Sequence, residues 1–274
     1  DPPRELYIAY VEPVSPAADT GLQRGMRIME IDGIDLVNTT SSSEIAMLNA
    51  ALAPETEGEM HTFGVLASGA ADTGTYPQHQ VSAASITTSP VLVYAVNNTA
   101  SGDVGYIVFN NHVATAEEEL VQVFEAMRDA SVSDLVLDLR YNGGGLLAIA
   151  SMQPITPSPF YSQTLGFSLP AGTALPSLEL DRVYIISGSA TCSASESIIN
   201  SLNGIGVEVI LIGATTCGKP YGFYPQDNCG TTYFTIQFQG VNDIGFGDYA
   251  DGFTPVNSGE TGTSLPGCAV LDDI

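Results

Sequence analysis

The sequence predicts an α/β protein in two parts, a small α+β module in residues 1–90 and a larger α/β core in residues 91–274. Three observations lead to this prediction. From residue 104 onward, strand and helix patterns alternate, which is typical of helices layered on a largely parallel sheet. Before residue 90, shorter patterns are joined by turns rich in Gly, Thr and Pro. The length of 274 residues and the hydrophobic content of 44% suit one large domain or two smaller ones.

In the first module, apolar residues that alternate with polar ones predict short strands around two helices. The predicted strands are 6–12, a stretch around Ile28–Ile31 that turns at Asp32-Gly33, 61–68 and 79–88. The predicted helices are a short alanine-rich segment within 13–22 and an amphipathic helix over 40–52.

In the second part, apolar runs predict the strands of the sheet, and 3.6-residue periodicity predicts the helices between them. The predicted strands are 104–110, 133–140, 182–188, 207–213 and 231–238. The predicted helices are 115–130, a segment within 141–151 and 193–202. Thr115 and Glu118 predict a capping box at the start of helix 115–130. The proline-rich stretch 151–180 predicts a long loop.

The charge balance excludes one class of partner. The chain has 31 acidic and 7 basic residues and a net charge of −24, so we expect no binding to nucleic acid. No apolar stretch approaches the ~18–20 residues of a membrane span, and the first ten residues are not a signal peptide. We expect an extracytoplasmic protein, periplasmic or secreted, and a membrane anchor ahead of Asp1 is compatible with this start.

Four cysteines lie in the last third of the chain, at Cys192, Cys217, Cys229 and Cys268. They form no C-x-x-C pair and have no neighbouring histidine, so we expect no metal site. In an oxidising compartment they can form two disulfides by three alternative pairings, and the spacing does not choose among them. Four buried thiols are the other interpretation.

Three loops leave the ends of predicted neighbouring strands: "YNGGG" (141–145), "SGSATCSAS" (187–195) and "GATTCGKPYG" (213–222). In open α/β sheets, ligands bind beyond the carboxyl ends of the strands, so we expect these loops to converge. They would bring together a glycine-rich backbone, a cluster of serines and Lys219, the single lysine of the chain.

Each of these loops offers a group with a chemical use. A serine hydroxyl becomes a nucleophile when a base takes its proton. An ordinary lysine, with a pKa of ~10.4, is almost fully protonated at pH 7, so burial must lower the pKa of Lys219 if it is that base. Gly143, Gly144 and Gly145 can bring backbone N–H groups close to an oxyanion. A helix that begins near Ser193 adds further N–H groups.

The motifs "VGYIVFN", "LVLDLRYNGGG", "ATCSASE" and "IGATTCGKPYG" together resemble the carboxyl-terminal processing (tail-specific) serine proteases, which belong with the tricorn-core-like peptidases. The resemblance implies a ClpP/crotonase-like core and a Ser-Lys dyad that cleaves protein substrates near their C-termini through an acyl-enzyme. It places the nucleophile at Ser193 and the base at Lys219. It gives the oxyanion hole to Gly143 or Gly144 together with the N–H of Ala194. It implies no cofactor.

The chain departs from the family pattern beside the lysine. Family members often have a glutamine four residues after it, and here that residue is Phe223. In the tricorn branch a histidine acts as the base, so His112 is the alternative base, or a residue that contacts the substrate.

The stretch "YVEPVSPAADTGLQRGMRIMEIDGIDL" resembles a PDZ domain, with Met26 where the pattern usually has Asp. PDZ domains bind extended peptide ends at a sheet edge, so the resemblance implies a peptide-binding module, with a role in packing alone as the alternative.

For the whole chain, two further hypotheses stay open: a non-catalytic peptide-binding protein that retains the protease fold, and an esterase or amidase that acts on small molecules. The oligomeric state is left open.

Overall fold

A computed structural model describes residues 2–150, 161–256 and 263–269. The chain divides into two compact units, one that ends at Ser89 and one that begins at Pro90. Across the described residues, the longest helix has 14 residues, and none combines the length and apolar character needed to cross a bilayer.

The first unit is an antiparallel sheet with two helices. Its elements are α1 (Pro16–Asp19), β1 (Arg27–Ile31), β2 (Ile34–Asp35), α2 (Ser42–Leu52), β3 (Met60–Leu66) and β4 (Gln78–Ser82), with strand order β2-β1-β3-β4. Ser41 caps α2 by accepting a hydrogen bond from the backbone N–H of Glu44. Ile31, Val65 and Leu48 belong to the core of this unit.

The predicted strand 6–12 is wrong. Only one bridge forms in this stretch, between Tyr7 and Arg27, although the N–H of Ile8 donates to the carbonyl of Met26 and the carbonyl of Leu6 accepts the N–H of Ile28. The side chains of Tyr7 and Tyr10 stay exposed, so the stretch has no continuous apolar face that would reward longer pairing.

The second unit is built on a sheet of seven strands. Its elements are β5 (Val91–Thr99), β6 (Gly102–Phe109), α3 (Ala116–Asp129), β7 (Asp134–Asp138), α4 (Leu147–Ala150), β8 (Arg182–Ser187), α5 (Ala194–Gly204), β9 (Glu208–Gly213), β10 (Tyr221–Gly222), β11 (Gln226–Asn228), β12 (Thr231–Tyr233), β13 (Phe238–Gln239), β14 (Thr254–Val256) and β15 (Ser264–Ala269). The strand order is β14-β15-β9-β8-β7-β6-β5. Every neighbouring pair is parallel except β5 and β6, which are antiparallel. The predicted α/β class is confirmed.

Helix α3 buries the face that its periodicity predicts, since Leu120, Val123, Phe124 and Met127 all lie in the core. The predicted capping box at its start is wrong. Thr115 already has helical backbone angles, with φ −67° and ψ −18°, and its side chain makes no capping hydrogen bond. Instead the backbone N–H of Glu118 donates to Ser168 Oγ, from a loop distant in sequence.

Two further differences from the predicted elements concern exposed strands. Strand β5 was not predicted from the sequence. It is an edge strand with mostly exposed side chains, and it pairs along its length with β6. The predicted strand 231–238 forms only two short pieces, β12 and the start of β13, which belong to separate two-stranded sheets. Phe234 and Ile236 between them are exposed, so the apolar content of this stretch is not core content.

The predicted long loop 151–180 lies partly outside the described residues, since the description resumes at Tyr161. From there, the loop is fixed by Glu117, a fully buried residue in the first turn of α3. Its carboxylate accepts four backbone N–H groups at 2.7–3.2 Å, from Leu165, Gly166, Ser168 and Leu169. Burial acts to raise the pKa of Glu117, but these hydrogen bonds outweigh it and the pKa is lowered.

We expect Glu117→Gln to lower the free energy of unfolding at pH 7 by about 1–3 kcal/mol, because charged acceptors are replaced by one amide oxygen. A carboxyl whose folded pKa is lowered stabilises the fold above its unfolded pKa, and this stabilisation is lost as the pH falls through the folded pKa. The difference between wild type and variant should therefore shrink as the pH falls below about 4. Denaturant unfolding of both proteins at several pH values measures this difference in the free energy of unfolding. Glu118→Gln is the matched control, since Glu118 is the exposed neighbour, and an equal loss in both variants would contradict the role of Glu117.

Candidate active site

The carboxyl ends of four parallel strands meet at one edge of the sheet and carry the candidate residues. Strands β6, β7, β8 and β9 lie side by side in parallel, as the convergence of the three loops requires. His112 follows β6, the segment 142–145 follows β7, Ser193 follows β8 and Lys219 follows β9. Every candidate side chain therefore comes from a loop at the same end of the same sheet.

Ser193 has an unusual backbone conformation. It is the N-cap of α5, with φ 56° and ψ −112°, a region that residues with a side chain rarely adopt. Such a conformation costs on the order of 1–3 kcal/mol and persists only where the surroundings enforce it. Of the other serines in this loop, Ser187 is buried, Ser189 is exposed, and Ser195 is fully buried and donates its hydroxyl hydrogen to the carbonyl of Asn142 at 2.9 Å. Ser193 is thus the serine of this loop that is half-buried and held in a strained turn.

Glu196 fixes the surroundings of Ser193. Its carboxylate is fully buried, and its Oε2 accepts the backbone N–H of Ser193 at 3.0 Å and the backbone N–H of Lys219 at 2.8 Å. Its Oε1 accepts the N–H of Gly218 at 2.7 Å and the hydroxyl of Thr216 at 2.6 Å. The charge of this buried carboxylate is satisfied by four donors, and one of its oxygens joins the serine loop directly to the lysine loop.

The same two loops are joined covalently by a disulfide between Cys192 and Cys217, with a Cα–Cα distance of 5.2 Å. A disulfide that closes a loop of this length contributes about 3 kcal/mol to stability in the chain-entropy description. The Sγ atoms and a Glu196 oxygen lie within 4.8 Å of one another, a spacing that could suit a metal ion. In the disulfide form, however, neither sulfur is a thiolate, so the cluster lacks the ligands of a metal centre.

The glycine-rich loop packs against Ser193 at Gly144. This residue has φ +95°, and a Cβ there would lie 2.8 Å from Ser193 Cβ and 2.9 Å from Ala194 N. Its own N–H is already used, because it donates to Asn142 Oδ1 at 3.0 Å. Gly143, by contrast, is exposed, and its N–H has no hydrogen-bond partner among the described residues. Of the two expected glycine donors, Gly143 is therefore the one that can face an oxyanion in this conformation.

Ala194 is the second expected N–H donor. It is the first residue of α5, and the N–H groups of a first turn have no partner within the helix. A Cβ on Gly144 would lie 2.9 Å from Ala194 N, so this group is next to the glycine-rich loop. The helix dipole adds a partial positive charge at this end, which favours a developing negative charge.

His112 is buried and neutral. Its Nδ1 lies 2.9 Å from Asn142 Oδ1, an acceptor that also receives the Gly144 N–H, so Nδ1 carries the proton and Nε2 has a free lone pair. Burial is the largest effect on the ring and lowers the pKa of His112 to about 4, although hydrogen bonds to Asn142 and Gly144 oppose this shift. Within the described residues, the buried Nε2 atom has no hydrogen-bond partner.

Lys219 differs from its predicted environment. The expectation that its amine is stripped of water is wrong for this conformation, because the side chain is exposed. Its Nζ lies 5.4 Å from the centroid of the Phe223 ring, in a cation–π contact. Within the described part of the chain, no hydrogen bond joins Ser193 Oγ to Lys219 Nζ or to His112 Nε2. Backbone contacts through Glu196 bring Lys219 close to Ser193, while the amine itself points elsewhere.

Two residues that organise the site were not identified from the sequence. Asn142 is fully buried, and besides its contacts with His112 and Gly144 it donates from Nδ2 to the carbonyl of Phe109 at 2.9 Å. Its position at the end of a buried strand is a signal that could have found it. Glu196 appears in the sequence analysis only as the last residue of the motif "ATCSASE", whereas its spacing from Ser193 is that of a capping box. That spacing predicts the hydrogen bond to the Ser193 N–H.

An ion pair between Asp138 and Arg140 lies directly before the glycine-rich loop in the chain. Asp138, at the end of β7, is buried and binds Arg140 through two hydrogen bonds at 3.0 and 2.6 Å, while it accepts a third from the Tyr106 hydroxyl. Burial acts to raise the pKa of Asp138, but the hydrogen bonds from Arg140 and Tyr106 outweigh it and the pKa is lowered. This pair holds the backbone two residues before Asn142.

Residues 103–222 match the profile of peptidase family S41. A carboxyl-terminal-processing protease of a Synechocystis species is 28% identical over 210 residues, which cover 75% of this chain and 47% of that protein. A protein of the same description from a Picosynechococcus species is 28% identical over 214 residues, which cover 76% and 49%. This chain therefore spans about half the length of the curated relatives that it matches.

Solved structures share the fold. A Bacteroides fragilis protein assigned as an S41 protease superposes with a TM-score of 0.70 at 24% identity, over 93% of this chain and 70% of that one. The photosystem II D1 C-terminal processing protease superposes with a TM-score of 0.53 at 18% identity, over 91% and 67%. The resemblance to the carboxyl-terminal processing proteases is thus confirmed, and the residues that match the peptidase family S41 profile, 103–222, contain every candidate residue of the site.

Proposed function

We propose that this protein is a serine endopeptidase that cleaves protein substrates near their C-termini, with Ser193 as the nucleophile. The observation that carries the proposal is the backbone of Ser193. The residue is held at φ 56° at the start of α5, between the N–H of Ala194 and the glycine-rich loop. A strained turn that presents a hydroxyl beside free N–H donors suits attack on a carbonyl and capture of the resulting oxyanion.

In the proposed reaction, Ser193 Oγ attacks the scissile carbonyl carbon while its proton passes to the base. The carbonyl oxygen becomes an oxyanion that accepts hydrogen bonds from the N–H groups of Gly143 and Ala194. The base returns the proton to the leaving amine, the C–N bond breaks, and the acyl group remains on Ser193. Water then attacks the acyl-enzyme, again with proton removal by the base, and releases the new C-terminus.

We keep Lys219 as the proposed base. Its backbone shares a Glu196 oxygen with the backbone of Ser193, and its four-carbon stem can rotate away from Phe223 toward the hydroxyl. A bound substrate that excludes water would then favour the neutral amine. His112 is the alternative, because it already has an unprotonated and unpartnered Nε2.

For the first unit we propose a PDZ-like module that binds an extended peptide. A groove of about 210 Å³ lies between the N-terminal segment and α2 of this unit. Its lining residues are Arg4, Glu5, Leu6, Leu36, Ile45, Leu48, Asn49 and Leu52. This groove also supports the second candidate function, a peptide-binding protein without peptidase activity.

We further propose an extracytoplasmic location, because disulfides such as Cys192–Cys217 form and persist in oxidising compartments.

Ser193→Ala should lower the rate of cleavage of an unfolded protein substrate by about 10⁴-fold or more, because the nucleophile is lost. A fluorophosphonate probe should label the wild type at Ser193 and leave the variant unlabelled. Ser195→Ala serves as the control for the serine cluster and should still be labelled. Cleavage of small esters with no cleavage of protein would instead favour an esterase, and no labelling of the wild type would favour the peptide-binding protein.

The base can be identified from the pH dependence of kcat/KM, because a base works only when deprotonated. If His112 is the base, activity is lost as the pH falls through about 4 and is level at neutral pH. If Lys219 is the base, activity still rises above pH 7, since amines titrate in the alkaline range. We expect the second profile, with Lys219→Ala inactive and Lys219→Arg not rescued. A Lys219→Ala enzyme that keeps a profile with a pKa near 4 would transfer the role to His112.

The two glycines should respond differently to alanine. Gly144→Ala places a Cβ against Ser193 and Ala194 at a strained φ, so we expect kcat to fall by about 100-fold. Gly143→Ala meets no atom within 4 Å and keeps its N–H, so its kcat should stay within about threefold of wild type. Steady-state kinetics and circular dichroism of both variants measure this. Equal losses in two folded variants would contradict the assigned packing.

A further inference from the structure

The Cys192–Cys217 disulfide lies closer to the proposed reacting groups than a purely stabilising crosslink needs to be. Cys192 is the residue directly before Ser193, and Cys217 is two residues before Lys219. Each cysteine follows the end of a different strand, β8 or β9. The bond therefore ties the serine loop to the lysine loop at the point where the two must meet for proton transfer.

The crosslink acts together with hydrogen bonds that need the same spacing. The N–H of Cys217 donates to the carbonyl of Thr191 at 3.0 Å, and Glu196 Oε2 accepts both Ser193 N–H and Lys219 N–H. The strained φ of Ser193 persists only if its surroundings hold it. The disulfide is the covalent part of those surroundings.

Solvent can reach the bond from one side. Cys217 is exposed and Cys192 is half-buried, so an external thiolate has access to the sulfur of Cys217. Accessible disulfides are the ones that exchange readily with thiols. Cys217 Sγ also lies 3.5 Å from Glu196 Oε2. In the disulfide this sulfur has no hydrogen to donate, but a thiol there could donate to the oxygen that now holds Ser193 and Lys219.

We propose that the Cys192–Cys217 disulfide is a positioning element for catalysis and that its reduction by a dithiol lowers kcat; this rests on the proposed peptidase function. One thiolate of the dithiol attacks Cys217 Sγ, the S–S bond breaks, and its electron pair leaves on the sulfur of Cys192, which takes up a proton. The second thiol of the reductant then displaces Cys217. The protein gains two thiols, and the dithiol is oxidised to a disulfide.

Reduction would act on the site in two ways. It removes the tether between the loops, and it places a new S–H donor beside Glu196 Oε2, in competition with the N–H groups of Ser193 and Lys219. Both changes act on the relative position of the Ser193 hydroxyl and the Lys219 amine. We therefore expect kcat to fall by about 10- to 100-fold, with a much smaller change in KM.

The test compares oxidised protein, protein reduced with dithiothreitol, and the double variant C192A/C217A. A chelator is present throughout, because the freed thiols and Glu196 have the spacing of a metal site. The reduced protein should have a low kcat, and the double variant, which loses the tether but gains no thiol, should lose part of the kcat that reduction removes. Reoxidation should restore kcat in the reduced wild type and should leave that of the double variant unchanged. Cys229→Ala is the matched control, since it removes an exposed thiol outside the disulfide and should respond to dithiothreitol like the wild type.

Amide hydrogen exchange provides a readout that does not depend on peptidase activity. If the disulfide positions the loops, the N–H groups of Ser193, Gly218 and Lys219 should exchange faster in the reduced protein, while those of β7 and β8 stay protected. Unchanged exchange at these amides, or an unchanged kcat after complete reduction, overturns the inference. An oxidised protein that cleaves nothing, yet shows faster exchange at these amides on reduction, overturns the proposed function and leaves the positioning role supported.

Discussion

The active-site end of this molecule depends on one buried carboxylate. Glu196 receives backbone N–H groups from both the serine loop and the lysine loop, and without it these donors would be buried without partners. A charge can be kept in such a place only when every lone pair has a donor, and here a hydroxyl and three amides provide them. Because the donors are backbone groups, the carboxylate fixes the course of the main chain and not merely the rotamer of a neighbour.

Around this carboxylate, Asn142 has a similar role for the other two loops. Its side chain joins His112, the glycine-rich loop and the end of β6, and its carbonyl accepts the N–H of Cys192. All four loops of the site are therefore linked through two polar residues at the carboxyl end of the sheet, Glu196 by its side chain and Asn142 by its side chain and its backbone carbonyl. The apolar core beneath, with Phe109, Leu137 and Ile185, supplies the rigid strands on which these links depend.

Much of the core could be predicted from the sequence, because buried parallel strands and amphipathic helices leave strong periodic signals. Helix α3 and strands β6–β9 follow their apolar patterns closely. The edge strand β5 and the stretch 231–238 were not predicted correctly, since neither is buried and apolar content alone does not indicate burial. Convergence of the loops at one sheet edge was predictable from strand order. The conformation of individual side chains was not: neither the exposed lysine nor the use of the Gly144 N–H by Asn142 leaves a pattern in the sequence.

The scarcity of lysine has a practical consequence. Lys219 is the single lysine of this sequence and it is exposed, so it is the one lysine amine that acylating reagents can reach. A fluorophore or crosslinker attached in this way would report from the loop whose backbone shares a Glu196 oxygen with Ser193. The composition of the protein thus makes it suited to single-site labelling without any engineered handle.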